Sequence, residues 1–178
     1  MVETEPLKER RRITKISIQS GAIIDGIAVQ YSDSGAIRTH GGKCSAASPE
    51  WGGKMLDLEE GEYVTTIEVK HGRYVTRLSF TTNKGRTLGP CGGGGALFLG
   101  GKGGEETTVH APEGDMLVGI RGRSGKYLDA IGFHWAPIAA CFPEGGDVAL
   151  HPADLSSTPL FGGDGGGPFD HGHFAVVR

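Results

Sequence analysis

An internal repeat of about fifty residues constrains this chain more than any other feature. The stretch Gly125-Lys126-Tyr127-Leu128-Asp129-Ala130-Ile131 has two weaker echoes, Gly21-Ala22-Ile23-Ile24-Asp25-Gly26-Ile27 and Gly72-Arg73-Tyr74-Val75-Thr76-Arg77-Leu78. Each runs Gly, a free position, two apolar residues, Asp or Thr, a free position and an aliphatic residue. The leading glycines lie 51 and then 53 residues apart. A repeat of this period marks a fold assembled from copies of one supersecondary unit. In a chain of 178 residues that means one domain, with or without a tail.

The unit is β. Ile13-Thr14-Lys15-Ile16-Ser17-Ile18 alternates apolar and polar, the period of a half-buried strand. Ile23 to Tyr31, Tyr63 to Val69, Tyr74 to Thr81, Met116 to Arg121 and Tyr127 to Trp135 read as further strands. Glu60-Gly61-Glu62 and Glu113-Gly114-Asp115 are matching turns. The 32 glycines are more than twice the usual share of ~7%, and they fall in clusters between Val/Ile/Thr/Tyr runs. That pattern predicts an all-β domain with many tight turns. The missing Gly-X-Y period excludes collagen. Gly89 to Gly95 reads as a loop, and no stretch carries a helical period of useful length.

A net charge of −3 gives no reason to expect nucleic acid or an anionic membrane as partner. No apolar run approaches the ~20 residues of a membrane span. Cys44, Cys91 and Cys141 are scattered and lack metal spacing, so they predict reduced thiols. Residues 1–12 form a charged arm without the apolar core of a signal peptide, which predicts a cytoplasmic protein, with a nuclear address in Lys8 to Arg12 as the alternative. His151, His171 and His173 have no acidic or Cys partner at ligand spacing and read as solvated, with no metal. Gly101-Lys102 lacks the Gly, the Ser or Thr and the helix of a phosphate loop. No Ser/His/Asp set can be placed together, and no cofactor motif or enzyme chemistry is supported.

These residues resemble the jacalin-related lectins. The matching pieces are Gly125 to Gly132, Thr81-Thr82-Asn83-Lys84 with Gly89-Pro90, Glu60-Gly61-Glu62-Tyr63, and Gly162-Gly163-Asp164-Gly165-Gly166 with Phe169-Asp170. The resemblance implies an all-β fold, a β-prism of type I: three four-stranded antiparallel Greek-key sheets with pseudo-threefold symmetry. Residues 13–136 form its main part, 137–160 read as a linker, and 161–178 carry a glycine loop and a strand that complete the prism. In the family that glycine loop ordinarily opens the domain; here it comes last. Circular permutation, a boundary within a tandem repeat, and strand exchange with a second copy each account for the order. Permutation is favoured, because the C-terminal segment supplies the opening half that the strand at Ile13 lacks.

The site follows from the chemistry of sugars. A hexose presents adjacent hydroxyls and needs a carboxylate acceptor beside backbone donors. Asp129 supplies the carboxylate, Gly125 opens the turn so that the Lys126 and Tyr127 amides face the ligand, and Gly166 lets the facing loop approach closely. The resemblance implies the same roles and a preference for mannose or glucose, hence glycans and glycoproteins as partners. It also implies a homo-oligomer, a dimer or higher. Asp25 with Gly21 marks a candidate second carbohydrate site, while Thr76 leaves the remaining copy without one. A prism that only binds proteins or only oligomerises is the rival function.

Overall fold

The computed structural model describes residues 12–32, 35, 37–42, 53–93, 104–141 and 155–172. The first sheet holds β1 (Ile13–Ser20), β2 (Ile24–Tyr31), β3 (Ile37–Gly41) and β4 (Lys54–Asp57), in the order β3-β2-β1-β4. The second holds β5 (Val64–His71), β6 (Val75–Thr82), β7 (Thr87–Cys91) and β8 (Glu105–His110), in the order β7-β6-β5-β8. The third is built on β9 (Asp115–Ser124) and β10 (Leu128–Pro137). All pairings are antiparallel. Each sheet is therefore one central hairpin flanked by two outer strands, the arrangement of the β-prism.

The inward residues of the three hairpins form one core. Ile16, Ile18, Ile27 and Val29 come from the first sheet, Ile67, Leu78 and Phe80 from the second, and Ile120, Ile131 and Phe133 from the third. The strands β2, β6 and β10 touch one another along the axis, and Phe80 meets Phe133 edge-on at 6.3 Å. Each such side chain contributes ~1.5–3 kcal/mol on burial, which outweighs the weak propensity of so glycine-rich a chain for any regular structure.

The hairpin turns repeat to the atom. Gly21 N–H donates to Ile23 O at 2.9 Å, Gly72 N–H to Tyr74 O at 3.0 Å, and Gly125 N–H to Tyr127 O at 3.1 Å. The turn before β5, the first strand of its hairpin, is held by a side chain. Glu62 is buried, accepts hydrogen bonds from the Glu59 amide and the Thr82 hydroxyl, and pairs with Arg86 at 2.7 Å. Burial pushes its pKa up, but the Glu59 amide, Thr82, Arg86 and Lys84 together outweigh that and leave it lowered. Glu62→Ala strands the Thr82 hydroxyl and the Glu59 amide, so a loss of about 3 kcal/mol is expected in chemical denaturation; a loss below ~1 kcal/mol would assign the turn to its glycine alone.

The third sheet is finished by residues far along the chain. β12 (Phe161–Gly162) pairs with β10 at Ala130 and Ile131, and β13 (Gly167–Asp170) pairs with β9 from Arg121 to Ser124. The stretch 137–160, expected as a linker, is partly structural: α1 (Ile138–Cys141) follows β10, and β11 (Ser156–Ser157) pairs with His134 and Trp135. Its Met116–Val118–Ala136–Cys141 cluster and packed Leu155 explain why. The Gly89 to Gly95 loop also needs correction, since Thr87–Cys91 is a strand. It is an edge strand, where a proline costs no ladder bond. Residues 1–11 of the N-terminal arm and the strand expected after Gly172 lie outside the described residues.

Candidate functional site

At one end of the prism, the turn Gly125–Tyr127 and the loop Gly162–Gly166 enclose Asp129. Gly162 has φ +139°, and a methyl group there would overlap the Asp129 carbonyl oxygen. Gly166 has φ +68°, and a Cβ would sit 2.5 Å from Asp129 Oδ2 and 2.6 Å from Ser124 O. Only glycine lets the loop lie this close to the carboxylate. Gly165 approaches Oδ1 in the same way.

Asp129 is only 6% exposed. Burial raises its pKa above the usual carboxylate value, and the Arg123 guanidinium and the amides of Asp129 and Gly125 offset this in part. Yet no side chain among the described residues donates a hydrogen bond to it. A nearly buried carboxylate that takes only two backbone amides keeps lone pairs free for hydroxyl donors from a ligand. The Lys126 N–H, in an exposed turn, also makes no intramolecular hydrogen bond among the described residues. Its carbonyl is taken by Gly42 N–H at 3.0 Å, which fixes the turn. The Lys126 ammonium lies 5.8 Å from the Tyr127 ring, and Tyr74 meets Tyr127 edge-on at 5.4 Å.

Arg123 was not anticipated. Its Nε donates to Gly165 O at 3.1 Å and its terminal nitrogen to Gly166 O at 2.8 Å, clamping the loop over Asp129. No local motif signals this, because the loop lies 42 and 43 residues away in the chain and is brought to β9 by the pairing of β13.

The other two copies share the frame. Gly41 packs on the Asp25 carbonyl as Gly162 does on that of Asp129; Gly104 packs on His71 O as Gly166 does on Ser124 O, and Gly53 on Ile18 O, two residues further from its turn. Asp25 is buried, and a Cβ placed on Gly21 would lie 3.8 Å from its Oδ2. The loop between, residues 43–52, lies outside the described residues. In the remaining copy the Thr76 hydroxyl donates to Lys70 O at 3.1 Å and is turned into its own sheet.

His171 is not solvated as expected. It is 2% exposed, with Nδ1 2.6 Å from Tyr31 Oη and Nε2 2.6 Å from His40 Nε2. One of those two Nε2 atoms must carry a hydrogen and the other a lone pair. His40 also stacks on Phe169 at 3.7 Å, which ties the end of β13 to the first sheet. Burial and then the Arg38 guanidinium lower the His40 pKa from 6.5 to about 4. Between those values the native state binds fewer protons than the unfolded chain, so this stability is full above pH 6.5 and is lost as the pH falls toward 4. Thermal unfolding from pH 7 to 4 is expected to show the decline, and His40→Gln to flatten it. His71, also lowered by burial, affects both proteins alike. A variant profile as steep as the parent's would place the titration elsewhere.

The structure also assembles a Ser–His–Asp chain that no sequence spacing reveals. His134 lies across β9 at Gly119, with Nδ1 2.6 Å from Ser157 Oγ and Nε2 2.7 Å from Asp170 Oδ1. It ties β11 and β13 to the central hairpin. Among the described residues no group of three His, Cys, Asp or Glu side chains could hold a metal ion.

Three Greek-key sheets around one axis, with a glycine loop over an acceptor-only carboxylate at one end, define a carbohydrate-binding β-prism. A family model for the Jacalin-like lectin domain matches residues 4–134. Horcolin from Hordeum vulgare is 31% identical over 136 residues, covering 71% of this chain and 83% of that protein. Malaysian banana lectin has a TM-score of 0.56 at 27% identity, over 75% of this chain and 86% of its own. A mannose-binding jacalin-related lectin from Ananas comosus has a TM-score of 0.54 at 27% identity, over 77% and 88%. The chain belongs to the jacalin-like lectin family. Its members are non-catalytic, so the Ser157–His134–Asp170 chain is a structural tie.

Proposed function

We propose that the domain binds mannose- or glucose-type glycans at the Asp129 end of the prism. Asp129 accepts hydrogen bonds from two adjacent sugar hydroxyls, and the Lys126 and Tyr127 amides donate to the ring side. Gly125 keeps the turn open and Gly166 closes the pocket. The observation that carries this reading is the Asp129 carboxylate, buried beneath a glycine loop with no side-chain donor. The Ananas comosus relative described as mannose-binding supports the choice of sugar. Asp25 and Gly21 form the candidate second site.

So shallow a site holds a monosaccharide weakly, with a Kd of about 1 mM, or roughly −4 kcal/mol. Useful avidity then requires several sites, which favours a homo-oligomer. The order of segments is read as a circular permutation. Calorimetric titration with methyl α-mannoside, methyl α-glucoside and methyl α-galactoside tests the reading. Binding of the first two with one or two sites per chain is expected. Heat from none of the three would leave the prism as an interaction scaffold.

A further inference from the structure

A second concave surface lies on the outer face of the sheet β5–β8. Its floor is formed by Glu68, Lys70, Arg77 and Ser79, and one wall by Glu106 and Thr108. The groove encloses about 200 Å³, the space of roughly seven waters at ~30 Å³ each, the scale of one pyranose ring.

Three features mark it as more than a solvated sheet face. Lys70 and Arg77 are direct cross-strand partners, as are Glu68 and Ser79. Like charges placed opposite each other destabilise a sheet, and here neither cation forms an ion pair among the described residues. Glu106 faces Lys70 across β5 and β8 in register, yet it too makes no ion pair. Ser79 is only 4% exposed, and its hydroxyl has no hydrogen-bond partner among the described residues, although it lines the groove. Its oxygen is reached by solvent, so a ligand seated in the groove would take over a hydrogen bond that water makes there.

The lining fixes the ligand chemistry. A plain anion would give the Glu68 and Glu106 carboxylates nothing to accept, and a neutral sugar would give Lys70 and Arg77 no charged partner. We infer that this groove binds a sugar acid, a pyranose carrying a carboxylate. The carboxylate pairs with Arg77 and Lys70, while ring hydroxyls donate to Glu68 and exchange hydrogen bonds with Ser79 and Thr108. The site is separate from Asp129, so the domain would read neutral and acidic sugars on two surfaces.

The test is amide-shift mapping on the full chain, titrated with methyl β-glucuronide and, separately, with a methyl α-sialoside. Methyl β-glucoside and acetate serve as controls. Movement of the Ser79 and Thr108 amides by either sugar acid, at least about tenfold tighter than by the controls, is expected; which acid moves them identifies a uronic or a sialic source. The pair of substitutions Lys70→Gln and Arg77→Gln is expected to weaken that binding by about tenfold or more. It should leave methyl α-mannoside binding unchanged, and Ser79→Ala should weaken the acid a few-fold. Asp129→Asn should leave the acid bound. Equal response to acetate, indifference to the Lys70 and Arg77 substitutions, or shifts confined to the Asp129 turn would overturn the inference, the last by moving the acid to the other site.

Discussion

Asp129→Asn is expected to remove methyl α-mannoside binding at this site while leaving the fold intact. The substitution keeps the shape of the side chain but exchanges one acceptor oxygen for a donor NH₂. Hydrogen bonds to a charged group contribute ~1.5–3 kcal/mol each. Against a total of roughly −4 kcal/mol, losing one takes the Kd beyond about 10 mM, and losing both abolishes measurable binding. Stability should stay level or rise, because the carboxylate is desolvated and its pKa is raised. Calorimetry paired with thermal unfolding therefore separates a lost acceptor from a lost fold. The same carboxylate sets the pH dependence. Only its ionised form accepts from both hydroxyls, so affinity should fall as the pH drops, with a midpoint above the usual 3.8. Full retention of binding in the Asn variant, with a single site per chain, would move the sugar to Asp25.

Ending the chain at Leu160 is expected to be the most damaging change of all. It removes β12, β13, the loop over Asp129, and His171. Phe161 and Phe169, both packed against the core, go with them. A Phe truncated in a core costs ~3–5 kcal/mol when fully buried; two partly buried rings and the lost β12 and β13 ladders make a loss of about 5 kcal/mol a low figure. Domains have only ~5–15 kcal/mol in total, so the melting temperature should fall by roughly 15 °C and sugar binding should vanish. A synthetic peptide of residues 161–178 added back is expected to restore both. A truncated protein that binds methyl α-mannoside as well as the parent would show that the glycine loop is no wall of the site.

The fold was legible because its information is local. Each hairpin turn carries its glycine, its apolar pair and its strand in one short window, repeated three times. Asp129 was legible for the same reason. What escaped depends on residues brought together from far apart. Arg123 reaches Gly165 and Gly166 only because β13 lies beside β9. His171 looked solvated because its neighbours in sequence are polar, yet Tyr31, 140 residues away, buries it. The strand through Gly89 and Pro90 was hidden by residue types that argue against strands everywhere except at an edge. Ser157, His134 and Asp170 share no spacing at all and meet through the order of strands.

The contact between His171 and Tyr31 has a consequence for how the domain can be joined to others. Tyr31 is the register partner of Ile13, and Ser32 exchanges hydrogen bonds with Arg12. The contact closes a seam that runs from His171 through Tyr31 to the Ile13 and Arg12 backbone. A partner fused beyond His171 would therefore pull on the first sheet as well as on β13, and tension at the junction would be shared between two sheets.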